Sequence, residues 1–398
     1  MRREEEVLDG RPIRLVEFVR SFHIGGTEGQ VLELLRGLPR RYDIRVAVTQ
    51  NAGPLLEDVW RLGHLPAEFS FAGSVKKPNT LRQIVRLAKW LKAHRIEVVH
   101  AHDFYTALLA GPAAKLAGVG LTVGRLDLAH FHTPMQRKAL VACTKMADTV
   151  IANAEAIRKM LVDEEGVPAE RVTVIRNGID LPRFDKRMSD GLSAPLPDTK
   201  GAPVVAHVAN LAHPVKRQED TLQALALLKA KGRDLHAFFV GSGSRTEMIR
   251  RMAGELGVSD RAHFLSHRLD VPAILARADM GVLCSSAEGL SNAVIEGMAA
   301  RLPMVVTAVG GNPELIEDGV RGLVVPRHEP EALARAFERM LDDREAARRM
   351  GERARAYVER ELTLEQLCAR HDALYRAIRD GRARQAGVKR GSDVLVPA

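Results

Sequence analysis

Two carboxylates and a helix start stand together in Ser285-Ser-Ala-Glu-Gly-Leu-Ser-Asn-Ala-Val-Ile-Glu296. The run Asp279-Met-Gly-Val-Leu-Cys284 before it reads as a buried strand, and the stretch from Asn292 on reads as a helix. Ser291 is placed to cap that helix, which leaves the amides of Leu290, Ser291 and Asn292 around its first turn. A helix start of this kind takes a phosphate favourably. Glu288 on the turn and Glu296 in the helix accept hydrogen bonds but give none, so they repel an anion and suit hydroxyls. A ligand with phosphates in its middle and polyols at both ends, such as a nucleotide sugar, satisfies both halves. A surface turn with two solvated acids is the competing description, the usual fate of Glu.

Other polar residues fall at comparable places. Ile13 to Val19 reads as a strand, followed by Gly25-Gly26 and a helical pattern from Val31. Backbone at such a turn can approach a phosphate or sugar closely, although the G-x-G-x-x-G spacing is absent and a tight turn needs no ligand. In Glu97-Val-Val-His-Ala-His-Asp103, strand alternation puts His100 and His102 on one side, with Asp103 next. The histidines suit a metal pair, but no third ligand with zinc-like spacing stands nearby. Another strand ends in Arg125-Leu-Asp127, and Gly241 follows the strand Ala237 to Val240. Between 76 and 95, seven Lys and Arg residues and no acid interleave with apolar residues and Trp90. That pattern fits an outer helix with a solvated basic face, or one lying on an anionic membrane.

The elements that must position these residues alternate. The chain has 398 residues, room for two domains. Strand and helix patterns alternate up to Val174, resume at Val204, and end in helical sequence from Glu329 to about Ile378. This predicts an α/β protein of two doubly wound Rossmann-like domains facing each other across a cleft, with ligand loops at the strand C-termini. Leu181 to Pro203, rich in Pro, Asp, Gly and Ser, is the expected linker. The expected domains are 12–185 and 203–365, then a helix over 366–380 crossing back to the first domain, and a disordered tail over 381–398. No apolar run approaches the roughly 20 residues of a membrane span, and the polar, acidic start is not a signal peptide. Cys143, Cys284 and Cys368 form no disulfide or zinc pattern, which points to a reducing cytosol. The net charge of +9 suits a phosphate-bearing ligand, while 4% aromatic residues argue against a stacking platform for nucleic acid.

Taken in order, Gly25-Gly-Thr-Glu, Val98-Val-His-Ala-His-Asp, Arg176-Asn-Gly-Ile-Asp, Val208-Ala-Asn-Leu-Ala-His-Pro-Val-Lys216, Val240-Gly-Ser-Gly, the turn with its two glutamates, and Ala308-Val-Gly-Gly-Asn-Pro-Glu resemble glycosyltransferase family 4, whose fold is GT-B. The resemblance covers roughly 12 to 380. It implies retaining, metal-independent transfer of a sugar from a UDP- or GDP-linked donor to a hydroxyl of a glycan or lipid-linked acceptor, with no cofactor. The setting it implies is cytoplasmic polysaccharide, glycolipid or lipooligosaccharide assembly, including peripheral contact with an anionic membrane through 76–95. In that scheme Lys216 neutralises the leaving diphosphate, Glu288 meets the donor sugar, and Glu296 holds the ribose. The amides of Leu290, Ser291 and Asn292 cradle the phosphates. Gly25, Gly26 and Gly241 approach the donor, and Arg268 to Val271 seats the base. His102 joins Lys216 and Glu288 as a catalytic candidate that contacts the sugar, and Asp103 and Arg125 are left for acceptor or sugar contacts.

The sequence departs from the family in two places. Asn210 stands where many members carry an Arg, so Arg217 or Arg125 is the candidate second cation. No His aligns cleanly with a frequent family His, although His130 and His132 follow nearby. A same-fold nucleotide-sugar epimerase or glycan phosphorylase, or a non-catalytic nucleotide-sugar-binding scaffold, are the alternatives.

Overall fold

A computed structural model describes residues 12–71, 78–126 and 133–385. The chain divides into two compact units. The first holds residues up to Ala152, Arg158–Ile175 and everything from Leu367, and the second holds Asn153–Ile157 and Arg176–Gln366. Each is built on one parallel sheet.

In the first unit the strands are β1 Ile13–Val19, β2 Tyr42–Val48, β3 Ala67–Glu68, β4 Val98–Ala101, β5 Gly120–Arg125, β6 Thr149–Ala152 and β7 Val172–Val174. Their order across the sheet is β3-β2-β1-β4-β5-β6-β7. The second unit has β8 Val204–Val208, β9 His236–Val240, β10 Ala262–Phe264, β11 Met280–Leu283, β12 Met304–Thr307 and β13 Gly322–Val325, ordered β10-β9-β8-β11-β12-β13. All pairings are parallel, and β4, β11 and β12 are buried along their whole length. Helices on both faces require that, and it is why these strands read as mostly apolar runs, with His100 in β4 and Thr307 at the end of β12 as the polar residues. Strand order reverses between β1 and β4 and again between β8 and β11. Loops leaving the C-terminal ends there diverge and open a crevice.

The expected linker is largely structured. Leu181–Ser189 is a helix: Asp180 accepts from the Arg183 amide at 3.1 Å, Pro182 sits in the first turn, and Leu181 and Phe184 are buried. Proline at that position starts a helix rather than breaking one. Arg355 fastens the helix to the second unit through Asp185 at 2.6 and 2.7 Å, and Leu192 and Leu196 pack on the cluster of Val204, Phe238, Val240 and Ile274. The chain therefore enters the second unit at Arg176, ahead of the expected boundary, and the short piece Asn153–Ile157 also belongs there.

The helical C-terminus comprises Pro330–Asp342, Arg344–Glu361 and Leu364–Gln385. In the first unit, buried Asp372 accepts from Arg41 at 3.1 and 2.5 Å and from the Tyr42 hydroxyl at 2.7 Å, and Tyr375 packs edge-on against Tyr42. Residues 381–385, expected in a disordered tail, continue the helix, and Arg382 pairs with Asp148 at 2.7 Å. Residues 386–398 lie outside the described ones. The basic stretch forms the helix Pro78–Ala93, with Lys76 and Lys77 outside the described residues. Trp90 is half-buried against Phe69, 5.6 Å between ring centroids, rather than on the outer face. Among the described residues no helix is long and apolar enough to cross a membrane.

One glycine tests the packing. A Cβ on Gly351, inside the helix Arg344–Glu361, would fall 2.0 Å from the Arg301 carbonyl oxygen. Alanine for glycine in a helix normally gains up to about 1 kcal/mol. Here backbone must separate, so Gly351→Ala is expected to cost about 1–3 kcal/mol. Gly254→Ala, which meets only the Ser259 hydroxyl at 3.7 Å, is expected to be neutral or stabilising. Urea unfolding of both variants checks the difference in sign.

Candidate functional site

In the second unit the loops after β8 and β11 are tied together. The turn Pro214–Lys216 ends at Arg217, whose φ is +52°. Ser286 donates its amide to the Val215 carbonyl at 2.8 Å, and Cys284 Sγ lies 2.9 Å from the Arg217 carbonyl oxygen. Burial pushes the Cys284 thiol up to about 12, so it stays protonated and donates that bond. The result sets Lys216 Nζ 2.5 Å from Glu288 Oε1, and the Ser285 hydroxyl donates to the same oxygen at 2.5 Å. Thr307 holds the Ser285 carbonyl at 2.6 Å.

The Glu288 turn is supported from behind. Gly310, at φ +51°, lies so close that a Cβ would fall 1.8 Å from the Glu288 carbonyl oxygen. The Gly311 amide donates to the Gly289 carbonyl at 2.8 Å. Asn177 Nδ2 donates to the Leu290 carbonyl at 3.1 Å and to Asn292 Oδ1 at 2.7 Å. Ser291 caps the helix Asn292–Ala299 as its sequence suggests, accepting from the Val294 amide at 3.4 Å. Glu296 is half-buried in that helix. Lys216, Glu288 and the helix start with Leu290, Ser291 and Asn292 therefore share one corner at the C-terminal ends of β8 and β11.

The remaining second-unit candidates have local partners. Arg217 grips Asp220 at 3.1 and 2.5 Å, at the start of its own helix. Exposed Asn210 accepts from the Ala212 amide at 3.3 Å. Gly241, at φ +144°, lets its loop lie on the loop after β8; a Cβ would fall 2.1 Å from the Ala209 carbonyl oxygen. Arg268 is forked onto Asp270 at 2.7 and 2.6 Å and reaches the Ala194 carbonyl at 2.9 Å. That fork holds the Asp270 carboxyl well below its usual range. Val271, half-buried, packs on the cluster beside β8 and β9.

In the first unit Arg20, Thr27, Glu28, His102, Asp103, Tyr105 and Arg125 are among the residues lining a pocket of about 170 Å³. Gly25 is the extended residue before the helix Gly26–Gly37, and Gly26 begins it. Asp103 caps the next helix, its Oδ1 accepting from the amides of Tyr105 and Thr106 at 2.8 and 3.0 Å. Among the described residues its Oδ2 is buried without a partner. Burial raises the Asp103 carboxyl above its ordinary range, and it raises Glu28 too. Arg125 is forked onto Glu165 at 2.7 and 2.8 Å, both buried, so its charge is already matched. Asp127, His130 and His132 lie outside the described residues.

His100 and His102 lie against each other on one side of the sheet, ring centroids 3.7 Å apart and planes tilted by 37°, as alternation allows. Their third partner was missed in the sequence. Glu17, on neighbouring β1 and in register with His100, is fully buried, 2.5 Å from His102 Nε2 and 3.3 Å from His100 Nδ1. A carboxylate inside the apolar run Ile13–Val19 was the available signal. Glu314 was also missed; it accepts from the Ala156 amide at 3.0 Å and from Arg176 at 3.3 Å.

Two parallel-sheet Rossmann-like units with polar loops at their switch points define the GT-B class of folds. Over 92% of this chain and all of the other, the structure resembles Anabaena Alr3699/HepE, crystallised in complex with UDP, with a TM-score of 0.79 at 20% identity. A family model described as glycosyl transferases group 1 matches residues 192–357, and one described as Glycosyltransferase Family 4 matches 24–183. The chain belongs to this family. It is 33% identical over 220 residues to D-inositol 3-phosphate glycosyltransferase of Nocardia farcinica, covering 53% of this chain and 49% of the relative. It therefore spans about half the length of that curated relative. The alpha-D-kanosaminyltransferase of Streptomyces kanamyceticus is 29% identical over 314 residues, covering 73% of this chain and 79% of the relative.

The buried histidines make stability depend on pH. Burial lowers His100 to about 3 and His371 to about 4 in the first unit, and His207 to about 3 in the second. Unfolded histidines bind protons near pH 6.5, whereas these bind only far below that. Stability is expected to fall as pH drops below about 6.5 and to keep falling towards 4, by at most about 1.4 kcal/mol per pH unit per histidine. Glu17, held below its ordinary range, adds acid lability in the same direction. Urea midpoints at pH 7, 6 and 5 that coincide would contradict this.

Proposed function

We propose that the chain is a retaining glycosyltransferase that moves a sugar from a nucleotide-diphosphate donor, UDP- or GDP-linked, to a hydroxyl of a glycan or lipid-linked acceptor. One observation carries this: Lys216 and Glu288 touch at 2.5 Å beside the capped start of the helix Asn292–Ala299. A cation and a helix start there suit a diphosphate, and the two glutamates suit hydroxyls at either end of it.

In this reading the diphosphate draws Lys216 from Glu288, and the ammonium matches the charge that grows on the leaving oxygens. Glu288 is then released to a donor-sugar hydroxyl, while Glu296 takes the ribose. The first-unit pocket with His102 and Asp103 serves the acceptor or the transferred sugar. Lys216 does this without a metal ion. Relatives lend support: the Anabaena protein was crystallised with UDP-glucose, and an Escherichia coli relative, 23% identical, is named for transfer of galactose from UDP-Gal to a diphosphoundecaprenol-linked sugar.

The test is a thermal-shift panel of UDP, GDP, ADP and their common sugar conjugates, with and without EDTA. A ligand that binds only the folded form raises the melting temperature. The expected result is a shift with one base, unchanged by EDTA and lost in Glu296→Ala. Lys216→Ala should lower kcat about 10²–10³-fold, as removal of a group that stabilises transition-state charge does. A panel without any shift, or full turnover by Lys216→Ala, overturns the assignment.

A further inference from the structure

Glu17 sits in the middle of β1 with none of its surface exposed. Both its oxygens are used: Oε1 faces the Tyr375 hydroxyl at 3.0 Å, and Oε2 faces His102 Nε2 at 2.5 Å. The Tyr375 oxygen also lies 2.8 Å from His100 Nδ1. Proton directions follow. A buried carboxylate with these partners is ionised and can only accept. Tyr375 gives its single proton to Glu17 and accepts one from His100 Nδ1–H. His102 Nε2 must then carry hydrogen, because Glu17 has none to offer it.

Three ligand-type atoms of Glu17, His100 and His102 lie within 4.8 Å of one another. A metal ion does not fit the arrangement as it stands. Two ligands on one ion with bonds of about 2.1 Å stay about 3 Å or more apart, and the contact between Glu17 and His102 is shorter. The trio is a hydrogen-bonded relay. Its outer end, the His102 ring, lines the first-unit pocket with Glu28 and Asp103, whose buried Oδ2 has no partner among the described residues. For His102 Nδ1 no hydrogen-bond partner is found among the described residues.

We propose that Glu17 is a positioning residue: it holds His102 as the neutral Nε2–H tautomer, leaving Nδ1 bare to accept a hydrogen bond from a hydroxyl of a sugar in the pocket. Identifying the ligand as a sugar rests on the transferase reading; the tautomer does not. Asp103 lines the same pocket.

Long-range ¹H–¹⁵N spectra of histidine side chains in the full chain test it, with His102 assigned by loss of its signals in His102→Gln. The expected wild-type pattern at pH 7 is neutral His102 with hydrogen on Nε2. Glu17→Gln, whose amide can donate as well as accept, should abolish the fixed tautomer. It should lower kcat/KM for sugar transfer about tenfold or more, with the thermal shift caused by nucleotide retained. Tyr375→Phe removes the other bond to Glu17 and should reduce stability without changing the His102 tautomer, which separates positioning from general support. Hydrogen on Nδ1 of wild-type His102, or a doubly protonated ring, overturns the proposal without any variant. So does Glu17→Gln with an unchanged tautomer and unchanged turnover. A wild-type chain that binds nucleotide yet transfers no sugar sinks the transferase reading and the hydroxyl partner, while the spectra still decide the tautomer.

Discussion

The second-unit site depends on one close backbone approach, Gly310 against the carbonyl of Glu288. A side chain at 310 would have to occupy the space of that oxygen. Because it is glycine, the loop after β12 lies flush behind the turn after β11, and the Gly311 amide closes the contact on the Gly289 carbonyl. The turn cannot retreat, so its glutamate points to where the loop after β8 brings Lys216. The bonds from Ser286 to Val215 and from Cys284 to Arg217 fix that second loop from below. A cation and a carboxylate on two different loops stay within 2.5 Å because the backbone beneath each is held independently of their attraction. Lys216 is partly exposed and Glu288 is buried, and burying a charge in such a pair offsets much of the attraction.

The first unit solves the opposite problem. Its polar group is wholly buried, where an unpaired carboxylate would be very costly. Glu17 is tolerated because each of its oxygens meets a hydrogen, from Tyr375 on one side and His102 on the other. The network continues through His100 to the C-terminal helix, whose Asp372 is satisfied in turn by Arg41 and Tyr42. A chain of this kind rigidifies what it touches, and breaking one member leaves the rest unsatisfied. The residues from Leu367 onward thus complete the sheet's polar core as well as cover it.

Much of this was legible in the sequence, for physical reasons. Strands buried on both faces leave largely apolar runs, so Met280–Leu283, and Val98–Ala101 apart from His100, were readable directly. The Ser291 cap was readable because a helix start needs a side-chain acceptor at a fixed offset. The helix Leu181–Ser189 was not, since its composition is that of a loop and only Asp180 and Pro182 mark it as a start. Nor could spacing show that Arg125 is already matched. Its partner Glu165 differs from dozens of other acids only by where the fold brings it, whereas Asp220 lies three residues from Arg217 and was a local pair open to view. Glu17 was the converse: the residue was conspicuous, but its meaning needed the register that sets β1 beside β4.

Those matched arginines bear on the proposed chemistry. Arg217 was a natural candidate for the second cation, given Asn210 where the family resemblance leads one to expect an Arg. Its guanidinium is forked onto Asp220, which is 2% exposed and sits in the first turn of the following helix. Moving Arg217 to a ligand would strip a buried carboxylate of its partner, a cost of several kcal/mol. Lys216 faces a smaller penalty, because buried Glu288 keeps the Ser285 hydroxyl when the lysine leaves. Of the two neighbouring cations, Lys216 is the better placed to follow a charge that grows and departs. The helix amides beside Leu290, Ser291 and Asn292 must then supply the rest of the stabilisation. That shifts the work from side-chain charge to fixed backbone dipoles, which need no reorganisation when the bond breaks.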